Sequence, residues 1–321
     1  MEFRTLSVDE LQLWSEFNRE VFNKETGQDQ GDSCLRMYNN DPWKEYSNIL
    51  VAVDKGSIVS TVGTFFRTMM LGGVQIKMGA IGAVCTKPEY RGRGLASNLL
   101  NLAVDSMHES GIQISMLTSG IWSFYERLGW KNIDWNWKVT DFKVDNSNLE
   151  ELTVRPINSK DISSIKLIYA QQIQRFNGPI VRSDEYWEQW VQIENKPCWV
   201  ATNKAGNVLA YLWLYVREED HYICVIEHGV SKTDVSIIDK MINQICSSYG
   251  WESCRLRAQS GVDLGFEISD TATYPGLMYR LIKPIRILNE HITTTEQLIN
   301  FLNLKNKLKS SDYLNLDHDN V

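Results

Sequence analysis

Residues 1–145 carry two hydrophobic patterns, one typical of strands and one typical of helices. The strand pattern is an apolar run, or an alternation of apolar and polar residues, over four or more positions. It predicts strands at Phe3–Leu6, Ile49–Asp54, Ile58–Leu71, Val74–Thr86 and Ile112–Leu117. The pair Gly72-Gly73 is typical of a tight hairpin turn, so we expect a mostly antiparallel meander.

Two segments instead carry apolar residues at three- and four-residue spacing, the period of a helix buried on one face. The first begins at the capping-box pattern Ser7–Glu10 and continues through Trp14 and Phe17. The second ends before Gly111, and its predicted core-facing stripe is Leu95, Leu99, Leu102, Ala103 and Met107. Residues 23–40 show neither period, so we expect an irregular connection there.

The second half of the chain repeats the opening of the first. After a polar linker around residues 143–151, a strand pattern at Leu152–Ile157 precedes a helix start at Ser159–Ile162. Three further strands are predicted at Cys198–Thr202, Val208–Val216 and Tyr222–Glu227. A last amphipathic segment predicts a helix at Thr295–Leu308, before an acidic, Asn-rich end.

These elements predict an α/β (α+β) fold with two domains and a tail. The first domain covers residues 1–145 and the second covers 152–288, each a mixed, mostly antiparallel twisted sheet flanked by helices. The tail, residues 289–321, contains the last helix and the acidic end.

Composition places the chain among globular proteins. It is 43% hydrophobic and 23% charged, and no apolar run approaches the ~18 residues of a membrane span. The first ten residues, MEFRTLSVDE, lack the basic and apolar regions of a signal peptide, so we expect a cytoplasmic protein with no membrane partner. A net charge of -7 disfavours nucleic acid as a partner and suits a cationic substrate.

The six cysteines are dispersed, with no CxxC pair and no clustering with the five histidines. This pattern argues against a metal site and, in a cytoplasmic protein, against disulfides. Cys85 lies in the strand part of the segment discussed below, where it has two interpretations: a covalent nucleophile or a small strand residue. No histidine follows at a motif-like position, which favours the strand residue.

The most informative segment is Ile81–Ala96, in which a strand and a Pro-containing turn lead into Arg91-Gly92-Arg93-Gly94-Leu95-Ala96 and a helix. The first amides of a helix have no intrahelical acceptor and bind anions, and glycines let them approach phosphate oxygens closely. Arginines add charge-assisted hydrogen bonds. The segment therefore predicts a diphosphate cradle, with an ordinary basic surface turn as the alternative.

A second motif follows the next strand. Thr118–Trp130 predicts a loop, a short helix, a glycine stop and a new strand, and it contains Phe124-Tyr125-Glu126-Arg127-Leu128-Gly129-Trp130. With both motifs present, residues 1 to about 145 resemble the GNAT superfamily of acyl-CoA-dependent N-acetyltransferases. The family's pyrophosphate motif corresponds to Arg91, Gly94 and Ala96.

The resemblance implies how acetyl-CoA would bind as co-substrate. Two neighbouring strands, Gly79–Cys85 and Ile112–Leu117, would splay apart, and pantetheine would bond to main-chain groups of the first. The implied cofactor-binding residues are Ala83, Val84, Cys85, Arg91, Gly92, Arg93, Gly94, Leu95, Ala96 and Ser119.

The chemistry implied by the resemblance is direct attack of an amine on the thioester. Tyr125 is the expected acid for the departing thiolate, because its ordinary pKa of about 10 keeps it protonated at neutral pH. A purely structural Tyr125 is the alternative. The preceding strand has no carboxylate, so the base stays open among ordered water, Glu25, Asp29 or Asp32, and the terminal carboxylate.

The second domain lacks the basic Gly-rich loop, since Glu227–Asp234 stands at its equivalent position. We therefore expect a degenerate GNAT copy. This pairing is similar, more loosely, to the Eis-type (enhanced intracellular survival) acetyltransferases, although only about 40 residues follow Arg280 where those enzymes have a sterol-carrier-like domain. That departure puts a catalytic role for the Val321 carboxylate in doubt, and the likeness leaves a homo-oligomer open.

Three functions are consistent with the sequence. The first is an N-acetyltransferase acting on a small-molecule amine, the second a protein lysine or amino-terminal acetyltransferase, and the third a non-catalytic acyl-CoA-binding module. Presence of both the cradle and Tyr125 favours catalysis over the third.

Overall fold

A computed structural model describes residues 1–26, 31–133, 136–145, 152–191, 197–231, 236–259, 270–273 and 276–303. The strands of the first half are β1 (Glu2–Thr5), β2 (Ile49–Asp54), β3 (Ser57–Leu71), β4 (Val74–Thr86), β5 (Ile114–Thr118), β6 (Lys131–Asn132) and β7 (Asn136–Lys143). Those of the second half are β8 (Thr153–Pro156), β9 (Cys198–Thr202), β10 (Val208–Arg217), β11 (Tyr222–Val230), β12 (Ser253–Gln259), β13 (Asp270–Thr273), β14 (Leu277–Leu281), β15 (Ile285–Ile287) and β16 (Glu290–Ile292).

The helices are α1 (Leu11–Thr26), α2 (Gly31–Asn40), α3 (Leu95–Glu109), α4 (Trp122–Glu126), α5 (Ile162–Gln172), α6 (Ser236–Ser248) and α7 (Thr295–Asn303). Most predicted strands and helices are present within a few residues of their predicted bounds. The expected irregular connection over residues 23–40 is wrong, because α1 continues to Thr26 and α2 covers Gly31–Asn40. Cys34 and Tyr38 of α2 are buried, so packing rather than local propensity holds this polar helix.

Two seven-stranded sheets share one strand order. The first is β1-β2-β3-β4-β5-β14-β6, and the second, read from its opening strand, is β8-β9-β10-β11-β12-β7-β13. The sixth strand of each sheet comes from the other half of the chain, so the halves exchange β7 and β14 reciprocally. Each sheet therefore contains one strand from the other side of the predicted boundaries at residues 145 and 152. The division into domains at those residues stays a prediction.

The two halves also open with the same local structure. Arg4 donates to both carboxylate oxygens of Glu10 at 2.7 Å, and Glu10 accepts from the backbone of Ser7. Arg155 donates likewise to Asp161, at 2.7 and 2.9 Å. In both cases the carboxylate completes a capping box, which confirms the predicted internal repeat as a tandem fold.

Helices cover both faces of the first sheet. Trp14, Phe17 and Val21 of α1 pack with Val51 and Val53 on one face. On the other, α3 buries Leu95, Leu99, Leu100, Ala103 and Met107. Leu102, predicted to face the core, is instead 40% exposed, because the helix turns Leu100 toward the sheet in its place.

The second half also packs against the edge of β3 that extends beyond its pairing with β2. Residues 178–181 run beside it, with hydrogen bonds from Met70 N–H to Pro179 O at 2.8 Å and from Val181 N–H to Thr68 O at 2.7 Å. Nearby, the fully buried Arg67 guanidinium pairs with Asp41 at 2.9 Å and lies over the rings of Trp43 and Trp190. Backbone hydrogen bonds, and the contact of the Arg67 guanidinium with the Trp190 ring, thus join the halves.

Candidate active site

The centre of the first sheet opens where two parallel strands part. β4 and β5 pair only from Met78–Ile114 to Ala80–Met116, and β5 then pairs with β14 on its other side. Beyond Ala80 the edge of β4 that faced β5 has no strand partner among the pairings described. The predicted splay is therefore present.

A β-bulge marks the same place on β4. Its register with β3 shifts between Thr61–Cys85 and Gly63–Gly82, so that Ala83 and Val84 together oppose Val62. Ala83 has a φ of 49°, a left-handed conformation that non-glycine residues rarely adopt. A bulge bends the strand that carries it, and this one lies just beyond the last β4 residue that pairs with β5.

The predicted cradle forms the amino end of α3. Gly92 and Gly94 have φ of 73° and 77°, and a Cβ built on either would meet nothing within 4 Å. Gly94 is the N-cap residue, and no side chain caps the helix. The first amides of α3 consequently face open space beside the positive end of the helix dipole, as an anion site requires.

The two arginines of the cradle are held differently. Arg91 Nε donates to Thr86 O at 3.2 Å, and this residue lines the pocket described next. Arg93 folds back, donating to Glu89 O at 2.9 Å and stacking over the Tyr90 ring at 4.8 Å. Tyr90 is itself anchored by its hydroxyl to Asp54 at 2.9 Å.

One pocket of about 590 Å³ joins the cradle to the splayed strands. Seven predicted cofactor-binding residues line it together with Tyr125: Val84, Cys85, Arg91, Gly92, Gly94, Leu95 and Ala96. Ala83, Arg93 and Ser119 are not among its lining residues: Ala83 packs against the α1 side, and Arg93 turns to Tyr90.

Several lining residues were not predicted: Phe22, Thr86, Tyr90, Ser97, Ile121, Phe124 and Arg127. Phe22 comes from α1, far away in sequence, so only packing could reveal it. Phe124 and Arg127 flank Tyr125 in the second motif, so their closeness to Tyr125 in sequence could have indicated that they line the pocket.

Tyr125 lines the pocket and is only 6% exposed. Burial raises the pKa of its hydroxyl to about 12, while a hydrogen bond with the Ser119 side chain acts in the opposite direction. Its ring meets Phe124 and Trp130 edge to face, with centroids 5.0 and 6.2 Å apart. The side chain is thus fixed and stays protonated at neutral pH.

Comparison with known proteins agrees with this geometry. Residues 2–133 match the acetyltransferase (GNAT) domain family. Residues 2–133 are therefore a GNAT domain. The predicted resemblance is thereby confirmed for this part of the chain.

Solved structures extend the likeness over most of the chain. A probable N-acyltransferase from Enterococcus faecalis has 16% identity and a TM-score of 0.68, covering 88% of this chain and 72% of that chain. A GCN5-related N-acetyltransferase from Kribbella flavida has 18% identity and a TM-score of 0.68, covering 87% and 71%. Eis1 from Mycobacterium abscessus has 12% identity and a TM-score of 0.60, covering 88% and 74%. At these identities the likeness concerns the fold, and no curated protein matches in sequence.

Cys85 of the GNAT domain behaves as a structural residue. Burial raises the pKa of its thiol well above the ordinary value, and the thiol donates to Asn18 Oδ1 at 3.5 Å. A protonated, buried thiol is a poor nucleophile. The geometry therefore favours the strand-residue interpretation over covalent catalysis.

The base of the GNAT domain stays open. No Asp or Glu occurs among the described residues that line the pocket. Asp29 and Val321 lie outside the described residues, as do the side chains of Glu25 and Asp32.

The second sheet repeats the splay of the GNAT domain but fills it. β11 and β12 pair in parallel only from Tyr222–Arg255 to Val225–Ala258. Beyond that point the Gln172 side chain donates to His228 O and accepts from Val230 N–H, both at 3.0 Å, and so occupies the edge that β12 leaves.

A buried cluster stands beside Gln172. Arg182 and Glu227 form an ion pair at 2.8 Å with both side chains fully buried, and the Tyr211 hydroxyl donates to Glu227 at 2.6 Å. β11 continues to Val230, past the predicted strand end at Glu227, so the first residues of the segment that stands in place of the cradle belong to a strand. Residues 232–235 lie outside the described residues.

The described residues contain neither a metal-binding cluster nor a membrane-spanning helix. In the described ranges no group of three His, Cys, Asp or Glu side chains could hold a metal ion. None of the helices there combines the length and apolarity that crossing a bilayer requires.

Proposed function

We propose that this protein transfers the acetyl group of acetyl-CoA to a primary amine of a small molecule, by direct attack of the amine on the thioester. The observation that carries the proposal is the single pocket that runs from the amino end of α3 to Tyr125 between splayed strands.

The cradle supports the donor half of the proposal. The unfilled amides at Gly94–Ala96 and the adjacent Arg91 suit a diphosphate, and the Val84–Thr86 edge of β4 suits an extended, hydrogen-bonding chain such as pantetheine. Apolar side chains of Val84, Leu95 and Phe124 supply a surface that shields a thioester from water.

Tyr125 supports the catalytic half. With its pKa at about 12, full proton transfer to a simple thiolate, whose thiol has a pKa of about 8.5, is uphill by roughly 5 kcal/mol. The larger expected contribution is therefore a hydrogen bond to sulfur that strengthens as the carbon–sulfur bond breaks and negative charge develops. Ser119 strengthens this hydrogen bond from Tyr125 to sulfur, because its own hydrogen bond stabilises negative charge on the Tyr125 oxygen.

The acceptor is inferred from charge. A net charge of -7 attracts cationic amines in general, and the resemblance to amine acetyltransferases makes a small amine the first choice. The acceptor nitrogen must lose a proton before attack, a step to which no described pocket residue is assigned.

A thiol-release assay with a panel of acceptors tests the proposal. The panel holds diamines, aminosugars, a lysine peptide and a peptide with a free amino terminus, each with acetyl-CoA and with longer acyl-CoAs. We expect turnover of a small amine with acetyl-CoA. Preferential turnover of a peptide would replace the small-molecule assignment, and acetyl-CoA binding with no turnover of any acceptor would contradict the catalytic one.

Substitution of Tyr125 tests its role within the same assay. Loss of one hydrogen bond to a charged group is worth about 1.5–3 kcal/mol, so Tyr125→Phe should lower kcat about 10- to 150-fold at nearly unchanged acetyl-CoA affinity. The control is Tyr249→Phe, in a half-buried tyrosine that stacks on Trp251 in the second half of the chain. Equal turnover of Tyr125→Phe and wild type would remove Tyr125 from the mechanism.

A further inference from the structure

One strand of the first sheet, β14, and the residue before it contact residues 119–130, called here the Tyr125 segment, at two points. β14 is contributed by the second half of the chain and lies between β5 and β6, the strands that precede and follow α4. Its residues pair with β5 from Leu281–Ile114 to Leu277–Thr118. The residue before β14, Gly276, consequently lies opposite Ser119, the residue after β5.

Gly276 holds the loop that leads into α4. Ser119 N–H donates to Gly276 O at 2.9 Å, and the Ser119 hydroxyl in turn accepts from Ile121 N–H at 3.1 Å. The same hydroxyl acts on Tyr125, whose pKa it lowers. Gly276 has a φ of 101°, where a side chain is strained. A Cβ there would overlap the Ser119 carbonyl oxygen and come within 2.7 Å of its carbonyl carbon. No other residue type fits without moving Ser119.

Arg280 holds the other end of α4. Its guanidinium donates to Leu128 O, one turn after Tyr125, and lies over the Trp130 ring at 5.0 Å. Trp130 packs edge to face on Tyr125 and is itself tied by its indole N–H to Ser115 of β5 at 3.2 Å. β14 and the residue directly before it thus border both the entry and the exit of the Tyr125 segment.

We propose that β14 positions Tyr125, with Gly276 fixing the segment's entry through Ser119 and Arg280 fixing its exit through Leu128 and Trp130. This inference rests on the proposed function of Tyr125. It assigns to the second half of the chain a part in catalysis that needs no second acyl-CoA site: its exchanged strand sets the geometry of the first site. Gly276 and Arg280 are positioning residues, since neither lines the pocket.

The test compares Gly276→Ala with Gly206→Ala. Gly206 has a φ of 82°, and a Cβ there meets nothing within 4 Å, so the control shares the backbone strain without the overlap. A displacement of about 1 Å in a catalytic group costs up to about 100-fold in rate. We expect Gly276→Ala to lower kcat tenfold or more with acetyl-CoA Kd within twofold of wild type, and Gly206→Ala to leave both unchanged.

Arg280→Met provides a second variant that keeps the aliphatic stem and removes both contacts of the guanidinium. It should lower kcat with unchanged acetyl-CoA Kd, and Arg280→Lys, which keeps a donor, should recover part of the loss. Should Gly276→Ala fail to fold, Arg280→Met decides. Turnover within twofold of wild type in the folded variants would overturn the inference.

A spectroscopic readout separates this inference from the proposed function. The Cζ carbon resonance of Tyr125, assigned by its loss in Tyr125→Phe, reports the environment of the hydroxyl without requiring turnover. We expect it to shift in Gly276→Ala and to stay in place in Gly206→Ala. If wild type turns over no amine, the proposed function fails; an unshifted resonance in Gly276→Ala would independently refute the positioning role.

Discussion

The predicted diphosphate cradle can be tested against a control in the same helix, because α3 has a glycine in the left-handed conformation at each end. Gly94 caps its amino end with a φ of 77°, and Gly111 follows its carboxyl end with a φ of 74°. A Cβ on either meets nothing within 4 Å. Alanine at either position therefore imposes the same left-handed strain, of about 1–2 kcal/mol, but only Gly94 lines the pocket.

The expected effect on binding follows from what the alanine methyl displaces. At Gly94 it would occupy the space in front of the first α3 amides and cost one charge-assisted hydrogen bond to a phosphate, worth about 1.5–3 kcal/mol. That loss corresponds to an acetyl-CoA Kd about 10- to 150-fold weaker. Gly111→Ala should change Kd less than twofold.

Calorimetric titration with acetyl-CoA measures both affinities, and thermal unfolding of the free proteins compares their stabilities. We expect the two variants to be destabilised alike and to differ only in Kd. If Gly94→Ala bound acetyl-CoA as tightly as Gly111→Ala does, the amino end of α3 would not be the diphosphate site.

Three further outcomes can be measured. Burial lowers the pKa of His228 to about 4, below its unfolded value of 6.5, so the folded state resists protonation and stability present above pH 6.5 is lost as pH falls toward 4. Denaturant unfolding should show wild type losing about 2 kcal/mol more than His228→Asn between pH 7.5 and 5, and parallel profiles would contradict this. Asp41→Asn leaves the fully buried Arg67 charge unpaired and should destabilise the protein by about 3–5 kcal/mol, against less than about 1 kcal/mol for Asp184→Asn in an exposed pair; equal effects would refute it. Calorimetry should give one acetyl-CoA per chain because Gln172 fills the second splay, and a value near two would show otherwise.

The prediction of local structure succeeded where sequence-near residues decide it. The capping box at Ser7–Glu10, the hairpin at Gly72-Gly73 and the glycine-rich entry to α3 are each specified within a few residues. α2 was missed because Gly, Asp, Ser and Asn, which favour turns over helices, occupy its ends, and it is held by contacts of Cys34 and Tyr38 with distant strands. Leu102 was wrongly predicted to face the core. Spacings of three and four residues fit a stripe through Leu102 as well as one through Leu100, and it is Leu100 that the structure buries.

The candidate site divides in the same way. The cradle and Tyr125 each carry a short motif, so the sequence reveals them separately. That they border one pocket depends on the parting of β4 and β5, beside which β14 pairs with the other edge of β5. No local pattern predicts a strand that arrives from about 150 residues away.

Sequence alone determined the period of the strands and helices, the anion-binding end of α3 and the membership of the amino-terminal half in an acyltransferase superfamily, because these depend on backbone propensity and on residues close in the chain. Tertiary structure decided the exchange of β7 and β14, the closure of the second splay by Gln172 and the support of Tyr125 by Gly276 and Arg280. The physical reason is that each of these satisfies a hydrogen bond or fills a space between residues far apart in sequence, and such pairings exist only once both sheets have formed.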